Sequence, residues 1–343
     1  MIRGYHTPVL VAEVTAALRP ALAAVSAAPE EPAKNPAEAP ATDPANPALP
    51  VFVDATCGGA GHTLAVLEAA RPGTIIAMDR DQDAIAWAED RLRPRAEALG
   101  VRLHLVHAPF SRLAEVLREH EITAVAAVLA DLGVSSHQLD TGARGFSFRA
   151  DAPLDMRMDR SRGPSAADLL ATIDERELSR ILRSYGEEPD APRIARAVIA
   201  ARPTTTSALA NVVSEAMSAR QRRRLGARIH PATRTFQALR IHVNGELQEL
   251  EQLLADAPAR LTPGGRLAVI SFHSLEDRVV KQRFAKLSSP PPLPRGLPIP
   301  ESERGRADYS IPLGRRGQTP GEAELSANPR SRSSRLRVLE RRP

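Results

Sequence analysis

The first 140 residues alternate between short apolar runs and segments whose apolar side chains have helical spacing. Continuous apolar runs are typical of strands buried on both faces of a parallel sheet. The predicted strands cover residues 51–53, 74–78, 101–106 (which alternates apolar and polar positions) and 124–132. The predicted helices cover residues 6–18, 81–92 and 112–120, and another begins at 62. This alternation predicts an α/β fold built on a parallel sheet.

The alternation stops after residue 140 and returns near residue 231. Between these points apolar residues recur only at helical spacing, which predicts three or four helices. Beyond 230 the pattern predicts a long helix to about Leu254, a turn at 262–265, a strand at 266–272 and a helix at 279–287. We therefore predict a first α/β part at 1–140, an inserted all-helical, substrate-binding domain at 141–230, and a second α/β part at 231–343.

Residues 21–50 differ from their surroundings because eleven of them are Ala and seven are Pro. Proline at that density disfavours helix and strand, and few side chains there could form a core. The segment is predicted to be a disordered insertion. The last part of the chain, 315–343, carries eight Arg against three acidic residues, and predicts either a phosphate-binding strip or a soluble tail.

A glycine-rich turn joins the first predicted strand to the next helix. The strand ends in Asp54, the turn is Gly58-Gly59-Ala60-Gly61, and the helix opens at His62. Glycines let a ligand approach the backbone, and a helix N-terminus presents amide groups to it. Asp79 ends the second strand, where an acid can accept the hydroxyls of a ribose. The pattern indicates an adenosine ligand, although an ordinary tight turn is the alternative.

The class of ligand follows from what the turn lacks. Its glycines do not fit Gly-x-Gly-x-x-Gly, which disfavours a nicotinamide dehydrogenase, and the chain has no Gly-x-x-x-x-Gly-Lys-Ser/Thr phosphate loop. An acid just before the glycine turn suits a ligand with a positive end and no phosphate. S-adenosylmethionine, with its sulfonium and ammonium groups, is such a ligand.

Further polar residues follow the fourth and fifth predicted strands, where ligands bind in open α/β sheets. Asp131 ends the fourth strand and opens a polar loop that runs to Asp140. His273 follows the fifth strand, and Ser274 with Asp277 resembles a capping box for the next helix. A polar loop at a sheet edge and a structural histidine are the alternatives. Phe110, after the third strand, predicts either a wall of the adenine pocket or a core residue.

The charge of the chain indicates what kind of partner it binds. The net charge is +5 and the pI is about 9.9, which favours an anionic partner such as nucleic acid. Residues 216–245 hold seven Arg and no acid, which predicts phosphate contacts or a solvated basic face. The predicted RNA-binding residues are Arg222, Arg223, Arg224, Arg228 and Arg234. Only 3% of residues are aromatic, which disfavours a base-stacking platform as the main device.

Other classes are disfavoured by what composition lacks. A single cysteine, Cys57, excludes an intramolecular disulfide and a cysteine-built zinc site, and no metal is predicted. No run of about 20 apolar residues predicts a membrane span, and no apolar leader opens the chain. A cytoplasmic protein is expected. A homodimer is compatible with the sequence, although no coiled-coil pattern predicts it.

Long motifs spread over nearly the whole chain resemble the MraW/RsmH family. They include HTPVL, DATCGGAGH, DLGVSSHQLD, PLDMRMD, HPATRTFQALRI, LTPGGRLAVISFHSLEDR and NPRSRSSRLR. The resemblance implies a Rossmann-like, S-adenosylmethionine-dependent methyltransferase sheet with an inserted helical domain. It also implies transfer of a methyl group to the exocyclic N4 of a cytosine in small-subunit (16S) ribosomal RNA, near the decoding site.

The resemblance also implies cofactor contacts, to which the residue pattern adds Asp54. The predicted cofactor-binding residues are Asp54, Ala60, Gly61, His62, Asp79, Phe110, Asp131 and Gln138. The amine-activating acceptor cannot be carried over from the Asp/Asn-Pro-Pro-Tyr loop of DNA amino-methyltransferases, because this chain has Asp-Leu-Gly-Val there. The candidate catalytic residues are Asp131, Ser135, His137 and His273.

Two departures from the family pattern stand out, namely the long Ala/Pro segment and TCGGAGH where TFGRGGH is more usual. Two further functions compete with this prediction. One is a methyltransferase with a DNA or small-molecule target, which the missing Pro-Pro-Tyr loop and the basic insert disfavour. The other is a non-catalytic ribosome-binding factor, which the intact acids of the predicted pocket disfavour.

Overall fold

The computed structural model describes residues 8–24, 49–226, 229–290 and 305–343, and it divides into two compact units. A helical unit spans Val134–Leu247. The sheet unit comprises the described residues up to Gly133 and Gln248–Pro343. The predicted boundaries at 140/141 and 230/231 differ from these, because the short helix after Asp131 and the helix that starts at 233 both belong to the helical unit.

The sheet unit is built on seven strands in the order β3-β2-β1-β4-β5-β7-β6. They are β1 (Val51–Asp54), β2 (Thr74–Asp79), β3 (Arg102–His107), β4 (Val125–Asp131), β5 (Leu261–Ser271), β6 (Tyr309–Ser310) and β7 (Arg335–Arg341). Strands β1 to β5 pair in parallel, and β7 runs antiparallel to β5 and β6. The predicted α/β class and parallel sheet are confirmed.

Both units contain helices. They are α1 (Val11–Ala24), α2 (Gly61–Ala70), α3 (Gln82–Ala98), α4 (Leu113–Glu119), α5 (Ser136–Asp140), α6 (Ala166–Thr172), α7 (Glu175–Gly186), α8 (Ala191–Ala201), α9 (Thr206–Ala216), α10 (Ala219–Leu225), α11 (Thr233–Asn244), α12 (Glu246–Arg260), α13 (Ser274–Leu287) and α14 (Glu322–Ala327).

The sheet is covered on both faces because successive side chains of its strands point to opposite sides. Phe52 joins one buried cluster, with side chains of α1, α2 and α3, while Val51 and Val53 join the other, with side chains of α4, α12 and α13. These central strands are therefore uniformly apolar. Their polar residues are confined to the strand ends, where Asp54, for example, closes β1.

The helical unit has its own core, formed by one face of each longer helix. Leu178, Ile181 and Leu182 of α7 pack with Ile194 and Val198 of α8 in this cluster. Between residues 141 and 230 the described part of the chain holds five α-helices, α6 to α10, where three or four were predicted. The two shortest, α6 and α10, have seven residues each. Helices that short do not repeat an apolar spacing often enough to be recognised.

Helix α1 corrects the predicted start of the disordered segment. It continues through Pro20 to Ala24, so residues 21–24 are helical. Ala21 and Leu22 are both 2% exposed, and their burial offsets the hydrogen bond that Pro20 cannot donate. The rest of the predicted insertion, 25–48, lies outside the described residues, as does most of the proline-rich stretch 289–300.

The long helix predicted to Leu254 is two helices. Gly245 separates α11 from α12 in a left-handed conformation with a φ of 59°. Glycine adopts this conformation without strain, so it ends α11 and redirects the chain. The turn predicted at 262–265 is an irregularity inside β5, because Leu261 pairs with Val125 and Arg266 already pairs with Ala127.

The basic end of the chain is part of the sheet and not a tail. Its residues 335–341 form β7, whose Leu336, Val338 and Leu339 are fully buried. Arg337 is 5% exposed and donates to both carboxylate oxygens of Asp277 on α13, at 2.7 and 3.0 Å. The prediction of a soluble tail is therefore wrong for this strand, and a phosphate-binding strip stays a prediction.

Candidate functional site

Adjacent strands of the sheet unit carry polar residues at one edge. Asp54, Asp79 and Asp131 are the last residues of β1, β2 and β4, and His273 follows β5. The sheet order places these strands side by side as β2-β1-β4-β5. Because carboxyl ends of parallel strands share an edge, the predicted acids lie where α/β proteins bind ligands.

Asp54 holds the glycine turn from inside the protein. Its side chain accepts hydrogen bonds from the Thr63 hydroxyl at 2.6 Å and the Thr56 amide at 3.1 Å. Asp54 is 1% exposed, and this burial raises its pKa to about 6, although the Thr63 bond opposes the rise. The carboxyl group therefore joins the end of β1 to the first turn of α2. Thr56 and Thr63 were not predicted as site residues.

The turn itself has a backbone shape that its sequence only partly indicates. Gly58 has a φ of 46°, which glycine tolerates, but Ala60 also lies in the left-handed region, with a φ of 62°. Gly61 begins α2, and a Cβ at that position would lie 2.7 Å from Cγ of Pro8. Glycine at 61 is therefore required by a close neighbour and not by its dihedral angles.

Asp79 closes the other side of the turn. One oxygen accepts from the Gly58 amide and the other from the Asp81 amide, both at 2.8 Å. Burial raises the pKa of Asp79 to about 6, and the two amide bonds oppose that rise. A carboxylate oxygen has two acceptor positions, so each retains one for a further donor. The position thus suits the two hydroxyls of a ribose.

Asp131 has an unsatisfied oxygen at the same edge. Its Oδ1 is buried and has no hydrogen-bond partner among the described residues. Its Oδ2 lies 3.6 Å from Nδ1 of His62. Burial, reinforced by Glu276, raises the pKa of Asp131 to about 8. A buried oxygen without a partner is costly, and a ligand that donates a proton or carries positive charge removes that cost.

His62 is fixed by the N-terminal segment. Its Nε2 lies 2.8 Å from the carbonyl oxygen of Val9, so Nε2 carries the proton and Nδ1, towards Asp131, carries the lone pair. His62 is 6% exposed, and burial lowers its pKa. A neutral imidazole facing a carboxyl group favours the protonated acid when no ligand is bound.

Phe110 begins a 3₁₀ turn, Phe110–Arg112, directly after β3. Its ring is half-buried and packs against the core cluster that lies under α4. The core interpretation therefore holds in part, and a role for Phe110 as a wall of the adenine pocket stays a prediction.

His273 is a helix cap. Its Nδ1 accepts from the Glu276 amide at 3.4 Å, and Glu276 in turn accepts from the amides of His273 and Phe272. This reciprocal capping box involves His273 and Glu276, so the predicted pair of Ser274 and Asp277 is wrong. Nε2 of His273 lies 3.0 Å from Oε1 of Glu276 but makes no hydrogen bond among the described residues. Because Nδ1 accepts from the Glu276 amide, a neutral ring carries its proton on Nε2 and has no free lone pair for a substrate.

The strand order, with an antiparallel seventh strand inserted beside the fifth, is that of the Rossmann-like methyltransferase sheet. The model of the MraW methylase family matches residues 3–342. The chain belongs to the MraW methylase family. Relatives that are 46–49% identical to this chain cover 84–98% of it.

Two relatives illustrate the similarity. A protein of Magnetococcus marinus named ribosomal RNA small subunit methyltransferase H is 49% identical over 298 residues, covering 84% of this chain and 92% of its own. One of the same name from Rhizorhabdus wittichii is 46% identical over 341 residues, covering 98% and 93%. A solved rRNA methylase from Streptococcus thermophilus aligns with a TM-score of 0.35 at 13% identity, covering 86% of this chain and 88% of its own.

In this MraW family member the remaining predicted residues lie in the helical unit. Ser135 is the N-cap of α5 and accepts from the Gln138 amide at 3.2 Å, while Oε1 of Gln138 accepts from the Ser135 amide at 2.9 Å. This capping box explains the spacing of the two residues. His137 is half-buried on the same helix. The roles predicted for the three side chains remain predictions.

The predicted RNA-binding arginines differ in their exposure and in their contacts. Arg222, Arg223 and Arg224 are exposed on α10, and within the described ranges Arg220, Arg223 and Arg224 have no acidic partner. Arg222 and Arg234 donate to the carbonyls of Met217 and Glu187, which orients both side chains. Arg228 lies outside the described residues.

No helix in the described part of the chain is both long and apolar enough to span a membrane.

Proposed function

We propose that this protein transfers a methyl group from S-adenosylmethionine to the exocyclic N4 of a cytosine in small-subunit ribosomal RNA. Family membership and the names of the relatives support the substrate class. The observation that carries the chemistry is Asp131 at the end of β4, whose buried Oδ1 has no partner among the described residues.

The polar groups at this edge of the sheet fit S-adenosylmethionine. Asp79 keeps acceptor capacity for a ribose, and Ala60 and Gly61 bring backbone close to any ligand at the start of α2. The unpartnered oxygen of Asp131 suits a cationic group, because positive charge favours the ionised form of a carboxyl whose pKa burial has raised. When bound, S-adenosylmethionine supplies an electrophilic methyl group on a sulfonium.

The nucleophile is the weaker partner in this reaction. The N4 lone pair of cytosine is delocalised into the ring, so a site must orient the amine and accept its protons as the N–C bond forms. The carbon–sulfur bond breaks, sulfur keeps its electron pair, and N4 loses one proton. Asp131, once ionised, is an acceptor at the correct edge of the sheet. Ser135 and His137 are further candidates, and His273 is the weakest because its Nδ1 already accepts from the Glu276 amide.

The target cytosine must leave its stack to reach such a pocket, at a cost of a few kcal/mol. We assign the grip on neighbouring phosphates to the exposed arginines of α10 in the helical unit. Phosphate contacts release counterions, so binding should weaken as salt rises.

The test is methyl transfer from labelled S-adenosylmethionine, followed by nucleoside mass analysis. The substrates are small ribosomal subunits lacking the modification, naked small-subunit RNA and duplex DNA. We expect label in N4-methylcytidine from the subunits or the RNA. Label in DNA or in another nucleoside would refute the proposed specificity, and cofactor binding without transfer would leave only a binding factor.

The variant Asp131→Asn separates two roles of that residue. If Asp131 mainly holds the cofactor, the variant binds S-adenosylmethionine more weakly. If it accepts from the amine, cofactor affinity stays unchanged and turnover is lost. Isothermal titration together with the transfer assay distinguishes the two outcomes.

A further inference from the structure

The segment Pro8–Leu10 presses on the start of α2. The Pro8 ring occupies the space where a side chain at Gly61 would project, 2.7 Å from the position of its Cβ. The carbonyl oxygen of Val9 lies 2.8 Å from Nε2 of His62. Two successive residues of the glycine turn and its helix therefore depend on where this segment lies.

The segment is held in a backbone conformation that a non-glycine residue rarely adopts. Leu10 has a φ of 57° and is 1% exposed, and its carbonyl accepts from the Val14 amide to begin α1. Such a conformation persists only where the surroundings fix it. Something must therefore hold Leu10 in place.

That contact comes from the far end of the chain. The Leu10 amide donates to Oε1 of Glu324 at 2.8 Å, across 314 residues of sequence. Glu324 lies on the short helix α14 and is half-buried, whereas Glu322 on the same helix is exposed. A hydrogen bond to a charged, partly buried acceptor is among the stronger kinds.

The same carboxylate lies close enough to affect His62. Burial lowers the pKa of His62, while the negative charges of Asp54 and Glu324 raise it, as does the bond to Val9. Asp131 faces the ring from β4. The geometry therefore connects Glu324 to Leu10, Val9 to His62, and His62 to the edge that carries Asp131.

We propose that Glu324 is a positioning residue: by holding the Leu10 amide it keeps Val9 on His62 and Pro8 on Gly61, and so maintains the cofactor turn in its binding shape. The identity of the ligand rests on the proposed function. The effect on the turn does not, because it belongs to the ligand-free protein.

Three substitutions separate reach from charge in the full-length protein. Glu324→Gln keeps the length and an acceptor oxygen, Glu324→Asp keeps the charge but shortens the side chain, and Glu324→Ala removes both. We expect the Ala and Asp variants to raise the Kd of S-adenosylmethionine on the order of tenfold, with kcat at saturating cofactor within about twofold. The Kd of the Gln variant should stay within about threefold of the wild-type value. The control Glu322→Ala should have the wild-type Kd.

Amide hydrogen exchange of the ligand-free protein gives an independent readout. In the Ala and Asp variants we expect faster exchange at Leu10 and at residues 61–64, with unchanged exchange in the helical unit. This measurement decides the proposal even if wild type binds no S-adenosylmethionine, a result that would overturn the proposed function alone.

The opposite pattern would overturn the positioning role. If the Asp variant behaves as wild type and the Gln variant as Ala, the charge beside His62 is what matters and not the bond to Leu10. Unchanged exchange and cofactor affinity in all three variants would show that Leu10 is held without Glu324. If Glu324→Ala does not fold, the comparison of the Gln and Asp variants still decides between these outcomes.

Discussion

At the edge of the sheet, three carboxyl groups are removed from water in different ways. Asp54 and Asp79 receive hydrogen bonds from the turn, and their pKa values rise to about 6. Asp131 has one oxygen without a partner among the described residues and the other 3.6 Å from His62, and its pKa rises to about 8. Asp54 and Asp79 hold the turn, and Asp79 keeps spare acceptor positions beside these bonds, whereas Asp131 has an oxygen with no partner at all among the described residues, at a cost to the free protein.

That cost predicts a pH dependence of stability. A carboxyl whose pKa is raised by folding contributes fully below its unfolded pKa and loses that contribution as pH rises through the folded value. For Asp131 the window runs from 3.8 to about 8. We expect Asp131→Asn to lose less unfolding free energy than wild type from pH 4 to pH 8, by at least about 1.4 kcal/mol, the equivalent of one pKa unit.

Denaturant unfolding at several pH values measures this difference. Asp54 and Asp79 titrate in both proteins, so subtraction isolates Asp131. Parallel pH profiles for the two proteins would show that Asp131 is already ionised in the free protein.

Gly61 gives a second prediction at the scale of one residue. Alanine has a higher helix propensity than glycine, so Gly61→Ala in an open position would stabilise the helix. A Cβ at position 61, however, would lie 2.7 Å from Cγ of Pro8. We expect Gly61→Ala to lower the free energy of unfolding by about 1–3 kcal/mol, the usual range for overpacking. Gly142→Ala is the matched control, because nothing lies within 4 Å of its added Cβ. Equal effects of the two substitutions would contradict the close-packed role of Gly61.

At the scale of elements, β7 is held by a buried ion pair. Arg337 is 5% exposed and makes two bonds to Asp277 on α13, whereas Arg335, on the same strand, approaches Asp277 only to 3.8 Å. We expect Asp277→Asn to cost about 2–4 kcal/mol of unfolding free energy, because it leaves a buried guanidinium unpaired beside a partly exposed partner. Arg335→Ala should cost less than about 1 kcal/mol. Thermal unfolding that ranks them in reverse would refute this account.

The sequence predicts those elements whose pattern is purely local. Uniformly apolar runs such as 51–53 are buried strands as predicted, and those of β1 and β2 end in acids at the predicted edge. Periodicity failed where the context is tertiary. The proline density of 21–50 argued against a helix there, but Leu22 is buried and α1 continues to Ala24. The eight arginines of 315–343 concealed the buried strand β7.

The candidate site shows the same division. Asp54 and Asp79 stand out because they directly follow strands. Contacts between distant segments, such as Glu324 with Leu10 or Arg337 with Asp277, leave no trace in local spacing. The capping box of His273 and Glu276 was missed because Ser274 is a more usual cap than histidine.

At the scale of the whole molecule, charge distinguishes helix α10. The net charge is only +5, but three successive arginines on this seven-residue helix point to solvent. Other exposed arginines of the helical unit, such as Arg160, Arg180 and Arg196, form ion pairs with Asp155, Glu177 and Glu175. A polyanion therefore gains more from α10 than from an equal number of paired arginines.

This contrast predicts a salt dependence that is specific to one surface. Each phosphate contact contributes about −0.7 to the slope of log K against log salt for single strands and about −0.9 for duplexes. Replacing Arg222, Arg223 and Arg224 by Gln should reduce the slope for small-subunit RNA by about 2–3 and leave S-adenosylmethionine affinity unchanged. The matched triple of Arg160, Arg180 and Arg196 changed to Gln removes the same charge from paired positions, and should change the slope by less than about 1. Equal slopes for the two triples would show that RNA responds to net charge alone, and would remove α10 from the interface.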